Sequence, residues 1–248
     1  MTEFVVEVRG LSMAYGSVVV LEDIDLTVAE GEIVALTGVN GVGKSTLLSC
    51  LAGFRRQAKG TVSVLGGPPR DDAEFWRSVA IVAEQPSWYP GLTVRELLEL
   101  VRMTHQPLPG WSIPVADLVE IFGLTARADA SPLSLSSGQR QRLSIAAALA
   151  RPSSLLLLDE PEQSLDAGFR QELATLLHDE YAAGGGTVVM ATHDFEFAMS
   201  ASARIIALAE GRIVDEAERG EDDEDEDEDD EEPEQQATAD HGSTRPAP

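Results

Sequence analysis

The residues best suited to chemistry lie in the stretch GVNGVGKS, Gly38 to Ser45. It fits the phosphate-binding pattern of a glycine, four residues, a glycine, a lysine and a serine or threonine. Glycines let the backbone curl so that successive N–H groups converge on one concavity, which suits an anion. In this pattern Lys44 meets the β- and γ-phosphates and the Ser45 hydroxyl binds magnesium. The stretch therefore predicts nucleotide binding.

The neighbouring elements are those that such a loop requires. Ile33 to Leu36 is a short aliphatic run typical of a buried parallel strand, and Thr46–Leu47–Leu48 begins a helix. The positive end of that helix would face the bound phosphates. Lys44 is also one of only two lysines in the chain. A chance match in a glycine-rich turn would not bring this context with it.

Length and composition indicate one folded domain and a tail. The chain has 248 residues, of which 43% are hydrophobic, enough for a substantial core. The single cysteine, Cys50, excludes an intramolecular disulfide. The N-terminus lacks a signal-peptide pattern, and no apolar run approaches the roughly 18–20 residues that cross a bilayer. We therefore expect a cytoplasmic protein that does not insert directly into a membrane.

Residues 221–248 contribute −13 of the net charge of −25 and residues 1–220 the other −12, and residues 221–234 alone carry thirteen acidic side chains. No basic surface is expected, which argues against nucleic acid as the main ligand. Residues 221–248 cannot bury enough apolar area to fold, so we expect a disordered acidic tail after a folded domain over residues 1–220.

Strands alternate with helices over most of the chain, which predicts an α/β fold with a mostly parallel sheet. An N-terminal antiparallel β layer is expected before it, and a helical lobe is expected between about 90 and 150. That lobe begins at Thr93–Val94–Arg95–Glu96, which has the form of a capping box. The predicted strands are 4–9, 18–21, 24–28, 33–36, 60–65, 78–82, 155–158, 187–191, 204–208 and 212–215, with a turn at 12–16 and a long helix over 167–183.

Four further motifs follow the loop in order. Gln85 ends a strand, LSSGQ spans Leu135 to Gln139, LLLLDEP spans Leu155 to Pro161, and THD spans Thr192 to Asp194. A carboxylate such as Asp159, at the end of an apolar strand, is reasonable only beside a cation. The adjacent Glu160 can face a water molecule instead. Alone, Gln85 could cap a turn and His193 could be an ordinary polar residue at a strand end.

With these five motifs in this order, residues from about 4 to 216 resemble the ATP-binding subunit of an ATP-binding-cassette (ABC) transporter. The resemblance implies a P-loop NTPase core that binds ATP and Mg²⁺ and hydrolyses ATP. It also implies a head-to-tail dimer with a second ABC ATPase subunit. Because every catalytic motif is intact, we expect a homodimer. A separate transmembrane permease subunit would hold it at the inner face of the cell membrane.

The resemblance assigns roles to individual residues. Glu160 matches the general base, His193 the switch histidine that contacts the γ-phosphate, and Gln85 the glutamine that senses magnesium and links to the permease. The implied magnesium-site residues are Ser45, Gln85 and Asp159. The implied ATP-binding residues are Tyr15 on adenine, the loop residues Gly38, Val39, Asn40, Gly41, Val42, Gly43, Lys44, Ser45 and Thr46, and, toward the opposite subunit, the signature residues Ser136, Ser137, Gly138 and Gln139.

Some positions depart from the family pattern. Ser137 replaces the usual glycine of the signature, although it keeps its backbone N–H and its hydroxyl could cap the helix. Val39 and Val42 replace a proline and a small residue. The segment Pro161–Glu162–Gln163–Ser164 is somewhat unusual, with Glu162 close to the active-site acid and no role apparent from the sequence. The loop Ser164–Leu165–Asp166 matches the one that crosses the dimer interface.

The transport direction and the partner remain open at this level. A short C-terminus and a general resemblance of residues 85–103 and 159–166 to bacterial exporter subunits favour export. Trp88, Tyr89 and Leu92 form either a docking surface for the permease or part of the local packing. One alternative is a soluble ABC ATPase of assembly or repair, such as the iron–sulfur type. Another is a nucleotide-binding module without turnover, against which the intact Glu160 argues.

Overall fold

The computed structural model describes residues 4–82, 88, 91–104 and 113–214. It contains a three-stranded sheet and a six-stranded sheet, with helices packed around the larger one. The strands are β1 Val6–Tyr15, β2 Val18–Val28, β3 Ile33–Thr37, β4 Lys59–Val64, β5 Val79–Val82, β6 Leu155–Asp159, β7 Thr187–Ala191, β8 Arg204–Ala209 and β9 Arg212–Val214. The helices are α1 Lys44–Leu51, α2 Ala73–Ser78, α3 Val94–Met103, α4 Val115–Ile121, α5 Ser137–Leu149, α6 Ala167–Thr175 and α7 Phe195–Ser200.

The small sheet has the order β2-β1-β4 and is antiparallel throughout, as the sequence predicts. Its strands are longer than expected. The predicted turn at 12–16 falls at the end of β1, and the two short strands predicted within 18–28 form the single strand β2. The ladder between β1 and β2 carries register shifts between Val8 and Ala14. Such bulges interrupt the alternation of side chains without ending the strand, so the sequence looks broken where the backbone is continuous.

The large sheet has the order β5-β6-β7-β3-β8-β9, and its first five strands are parallel. Leu36 of β3 and Asp159 of β6 both pair with Ala191 of β7, so these strands end side by side. The loops that follow them, at Gly38, Glu160 and Thr192, therefore emerge at one edge. This is the edge at which open α/β sheets bind ligands.

The predicted helical lobe is present as α3, α4 and α5, inserted between the adjacent strands β5 and β6. The capping box is confirmed, because the Thr93 hydroxyl accepts from Glu96 N at 3.2 Å while Glu96 Oε2 accepts from Thr93 N at 2.8 Å. Leu98, Leu118 and Phe122 are fully buried in the core that joins the lobe to the sheet. Trp88 and Leu92 also pack against that core, in agreement with the local-packing interpretation.

Two helical segments differ from expectation. Helix α2 was not predicted; Asp72 caps it by accepting from Phe75 N at 2.9 Å, and β5 follows directly at Val79. The long helix expected over 167–183 is α6 followed by π-helical turns at Leu176–Ala182. Gln85, Tyr89 and the acidic tail lie outside the described residues, so the domain boundary at 220 stays a prediction. No described helix is long and apolar enough to cross a bilayer.

Candidate nucleotide site

The loop between β3 and α1 has a backbone that only glycine fits at two points. Gly38 has φ 143° and Gly43 has φ 118°, in the region that L side chains rarely adopt. A Cβ on Gly38 would lie 2.4 Å from the carbonyl oxygen of Leu208, and one on Gly43 would lie 2.6 Å from Leu21 Cδ2. Conformation and space therefore both require glycine here, and the loop can approach a ligand with its backbone.

Lys44 is held inside the curl of this loop. Its side chain is buried, and Nζ donates to the carbonyl oxygens of Gly38 at 2.7 Å and Val39 at 3.1 Å. Burying an ammonium is costly unless hydrogen bonds compensate it. These two carbonyl groups compensate the buried charge and hold the ammonium beside the cavity described next.

A cavity of about 300 Å³ opens above the loop. On its floor, the Ser45 hydroxyl donates to Asp159 Oδ1 at 2.9 Å, so the predicted hydroxyl and carboxylate magnesium ligands lie together. Its lining consists of Asn40, Gly41, Gly43, Lys44, Ser45, Thr46, Asp159, Glu160 and Gln163. The structure thus gathers most of the predicted loop residues and both acids around one space.

Other predicted site residues lie away from this lining. Val42 is buried beneath the loop, whereas Val39 is exposed. Tyr15 is 45% exposed at the end of β1, and the guanidinium carbon of Arg55 lies 5.6 Å from the centre of its ring. Ser136, Ser137, Gly138, Gln139 and His193 are also absent from the lining. Gln85 is outside the described residues.

Glu160 leaves the strand direction immediately after β6. Its φ of 47° is unusual for a residue with a side chain and costs free energy, while its N–H donates to the Ala191 carbonyl at 2.9 Å. Glu160 Oε2 accepts from Gln163 Nε2 at 3.4 Å, and Oε1 lies 3.5 Å from His193 Nδ1. The left-handed backbone therefore directs the carboxylate into the cavity, while Asp159 still belongs to the strand.

His193 follows β7, and its side chain is half exposed. Before it, Thr192 is fully buried and anchors the segment by donating its N–H to the Leu36 carbonyl at 3.0 Å. After it, Asp194 caps α7 by accepting from Phe197 N at 2.9 Å. His193 therefore lies between two residues that hydrogen bonds hold in place, at the edge of the large sheet where β3, β6 and β7 end.

Glu162 is a buried acid beside this segment. It is only 2% exposed, its Oε1 accepts from the Thr192 hydroxyl, and that same oxygen lies 3.8 Å from His193 Nδ1. Its Oε2 has no hydrogen-bond partner within the described part of the chain. Burial raises the pKa of the Glu162 carboxyl above its ordinary value, and the Thr192 hydrogen bond opposes that rise.

The signature motif begins α5 with a cap that differs from the expected one. Ser136, rather than Ser137, is the capping residue: its hydroxyl accepts from Gln139 N at 3.2 Å, and Gln139 Oε1 accepts from Ser136 N at 3.1 Å. Ser137 is instead the first residue of the helix. The reason is the spacing, since a capping box joins a serine to a glutamine three residues later.

The start of α5 packs against the loop that follows the two acids. A Cβ on Gly138 would lie 2.6 Å from the Ser164 carbonyl oxygen, so glycine is needed for this approach. One turn further on, Gln141 Nε2 donates to the carbonyl oxygens of Glu160 at 3.3 Å and Pro161 at 3.2 Å. The signature helix thus fixes the backbone that carries Glu160.

Sequence reasoning missed two residues of the site. Gln163 lines the cavity and contacts Glu160, and Gln141 holds the backbone of the acid loop. Gln163 lies in a segment whose sequence was noted as unusual, but nothing in the pattern assigns it a contact. Gln141 follows the signature by two residues, and no spacing rule connects it to Glu160.

Comparison with known proteins gives consistent matches. The family model described as ABC transporter matches residues 21–163. The aliphatic sulfonates import ATP-binding protein SsuB of Mycobacterium sp. (strain MCS) is 40% identical over 214 residues, which are 86% of this chain and 83% of that protein. The sulfate/thiosulfate import ATP-binding protein CysA of Synechococcus elongatus (strain ATCC 33912 / PCC 7942 / FACHB-805) is 36% identical over 215 residues. The match covers 84% of this chain and 61% of CysA.

A solved structure agrees with these relatives. The ATP-binding cassette MJ0796, in a dimeric post-hydrolysis state bound to ADP and Pi, matches with a TM-score of 0.70 and 26% identity. The match covers 84% of this chain and 96% of that one. Fold, motif order and relatives agree. The chain therefore belongs to the ABC transporter family and is one of its ATP-binding subunits.

Proposed function

We propose that this chain binds Mg²⁺–ATP in the cavity above the phosphate loop and hydrolyses it to drive an importer. The observation that carries the proposal is the cavity itself. It places the buried Lys44 ammonium, the Ser45–Asp159 pair and the Glu160 carboxylate around one space at the ends of β3 and β6. Phosphoryl transfer to water needs these elements: positive charge, a metal site and a group that positions water.

The residues present fit magnesium. The Ser45 hydroxyl and the Asp159 carboxylate, 2.9 Å apart, are the hard oxygen ligands that Mg²⁺ prefers. Among the described residues, no group of three or more His, Cys, Asp or Glu side chains could hold a metal. Magnesium is commonly held by one or two protein groups together with phosphates and water. When bound, Mg²⁺ neutralises charge on the β- and γ-phosphates.

Each side chain then has a defined task. Lys44 leaves the carbonyl groups of the loop and pairs with the phosphate oxygens. Glu160 accepts the proton of the attacking water, since its carboxylate borders the cavity and is directed there by the backbone. His193, 3.5 Å from Glu160, contacts the γ-phosphate from the end of β7.

We propose that a second copy of the chain completes the site. Ser136 and Ser137 are exposed at the beginning of α5 and do not line the cavity of their own chain. A capped helix N-terminus presents backbone N–H groups that suit a phosphate anion. The dimeric state of the similar cassette supports a dimer, and we propose that it is a head-to-tail homodimer in which these groups face the nucleotide of the partner.

The transport direction is proposed to be import, in place of the export favoured by the sequence alone. Both curated relatives described above are named as import proteins, which does not support export. As in other transporters of this class, a separate permease would hold the subunit at the membrane. Because the two relatives are named for different substrates, we assign no substrate to this chain.

The decisive experiment compares the wild type with Glu160→Gln, which keeps the shape of the side chain and removes the base. The variant should bind ATP normally, lose at least about a hundredfold in phosphate release, and elute as an ATP-dependent dimer. Glu196→Gln, the same change at an exposed position of α7, should leave all three readouts unchanged. Hydrolysis by Glu160→Gln near the wild-type rate would disprove the assignment.

A further inference from the structure

We propose that Glu162 is a positioning residue that fixes the orientation of the His193 imidazole. The inference rests on the proposed function of His193 at the γ-phosphate and deepens it. Glu162 does not line the cavity and is only 2% exposed. Its effect on the reaction must therefore pass through another side chain.

Geometry connects the two residues directly. Glu162 Oε1 lies 3.8 Å from His193 Nδ1, and Glu160 Oε1 lies 3.5 Å from the same nitrogen. The Nδ1 edge of the imidazole thus lies near two carboxyl groups, one at the cavity and one buried behind it. A ring nitrogen that faces carboxylates is the nitrogen that carries the proton. Nδ1 is therefore directed to the acids, which leaves Nε2 on the opposite side of the ring for the phosphate.

Thr192 makes this arrangement rigid. Its hydroxyl donates to Glu162 Oε1 and accepts from Asp194 N at 2.9 Å, while its own N–H is bound to Leu36. The carboxyl of Glu162 is consequently tied to the residue before His193 and, through it, to the residue after. The turn that carries Glu162 is closed by Leu165 N donating to the Glu162 carbonyl at 3.1 Å.

A purely structural role explains this side chain poorly. A carboxyl group that is 2% exposed, with one oxygen lacking a partner among the described residues, costs free energy to bury. An apolar residue of similar volume would pack without that cost. The acid lies behind the histidine and three residues after Asp159. From there it orients the imidazole, which an apolar residue at the same position would not do.

The first test measures turnover and affinity separately. Glu162→Gln keeps the size of the side chain and an acceptor for Thr192, but removes the carboxyl group that faces Nδ1. We expect kcat to fall about tenfold while KM for ATP stays within about twofold, because orientation rather than binding is lost. Glu196→Gln serves as the matched control and should retain wild-type kcat.

The second test observes the histidine itself. With ¹⁵N-labelled histidine, the ring signals of His193 should shift in Glu162→Gln, while those of His178 stay unchanged; His193→Ala assigns the signals. In the His193→Ala background, Glu162→Gln should not lower kcat further, since its effect acts through that ring. Wild-type kcat in Glu162→Gln, or an additional tenfold loss in the double variant, would overturn the inference. If wild-type protein itself released no phosphate, the proposed function would fail instead, and the ring signals would still decide the role of Glu162.

Discussion

Arg170 and Asp194 form an ion pair in which Arg170 Nη1 donates to Asp194 Oδ2 at 2.8 Å, joining α6 to the residue that follows His193. The same guanidinium donates from Nε to the Leu165 carbonyl oxygen at 3.1 Å. One side chain therefore ties the loop after the two acids to the segment that carries His193. The two donors lie in one planar guanidinium group and reach two different acceptors. A lysine ammonium would not reproduce that geometry.

Replacing Arg170 should uncouple these two segments. Arg170→Ala should lower kcat several-fold, and Arg170→Lys should recover little of it, because one ammonium does not reproduce the planar two-donor geometry. The Arg170 side chain is 39% exposed, so solvent screening should limit the loss of stability to about 1 kcal/mol. Steady-state ATPase assays and thermal melts check both values.

Arg95→Ala is the matched control, since Arg95 is also partly exposed and its ion pair with Asp129 is long, at 3.8 Å. Its kcat should remain that of the wild type. Full activity in Arg170→Lys would show that charge alone, and not the two-donor geometry, matters at this position.

Lys44→Ala should weaken ATP binding itself. The ammonium is buried and belongs to the only lysine in the cavity lining, so its loss would remove the positive side chain that we propose for the β- and γ-phosphates. We expect Kd for ATP to rise at least about tenfold in a calorimetric titration, as hydrogen bonds to charged groups carry more free energy than neutral ones. Lys59→Ala removes the only other lysine, which is exposed in β4, and should not change Kd. An unchanged Kd in Lys44→Ala would refute the role of that residue.

Gly43→Ala should damage the loop even though it adds only a methyl group. At φ 118° the new Cβ would lie 2.6 Å from Leu21 Cδ2, so both the backbone and its neighbour are strained. Such a conformation costs about 1–3 kcal/mol, and the loop would also lose its geometry for phosphate. A lower melting temperature and weaker ATP binding are expected together. Gly67→Ala, where nothing lies within 4 Å of the added Cβ, should change neither.

The sequence anticipated which residues gather at the cavity better than it anticipated the strand boundaries. Lys44, Ser45 and Asp159 all line that cavity, because a phosphate loop and an acid after an apolar strand follow from phosphate and metal chemistry, while the roles of these residues stay predictions. The continuous course of β1 through Ala14 was missed because bulges remove the alternation that marks a strand. The contact between Gln141 and the acid loop joins residues about twenty positions apart, and it depends on how α5 packs rather than on any local pattern. For the same reason Glu162 could be noted as unusual but given no role.

Glu162 should also make stability depend on pH, and the direction follows from its pKa. Burial raises the pKa in the folded state above the ordinary value of 4.5. Well below pH 4.5 the group is protonated whether the chain is folded or not, so it makes no difference to the free energy of unfolding there. As the pH rises further, the unfolded chain releases the proton first, which favours unfolding until the folded-state pKa is passed. Between the unfolded-state and the folded-state pKa, the free energy of unfolding of the wild type should therefore fall relative to that of Glu162→Gln. Above the folded-state pKa the difference between the two proteins should stay constant.

Thermal melts of both proteins from pH 4 to pH 8 measure this difference, and the many other acids of the chain cancel in the comparison. At pH 7.5 Glu162→Gln should melt roughly 2–4 °C higher, for a stabilisation of about 1 kcal/mol in a domain of this size. Near pH 4 the two melting temperatures should converge. A variant that is more stable yet turns over more slowly would mean that the buried acid is retained for catalysis at the expense of stability. A constant or reversed difference across the pH range would instead show that burying this carboxyl carries no such cost.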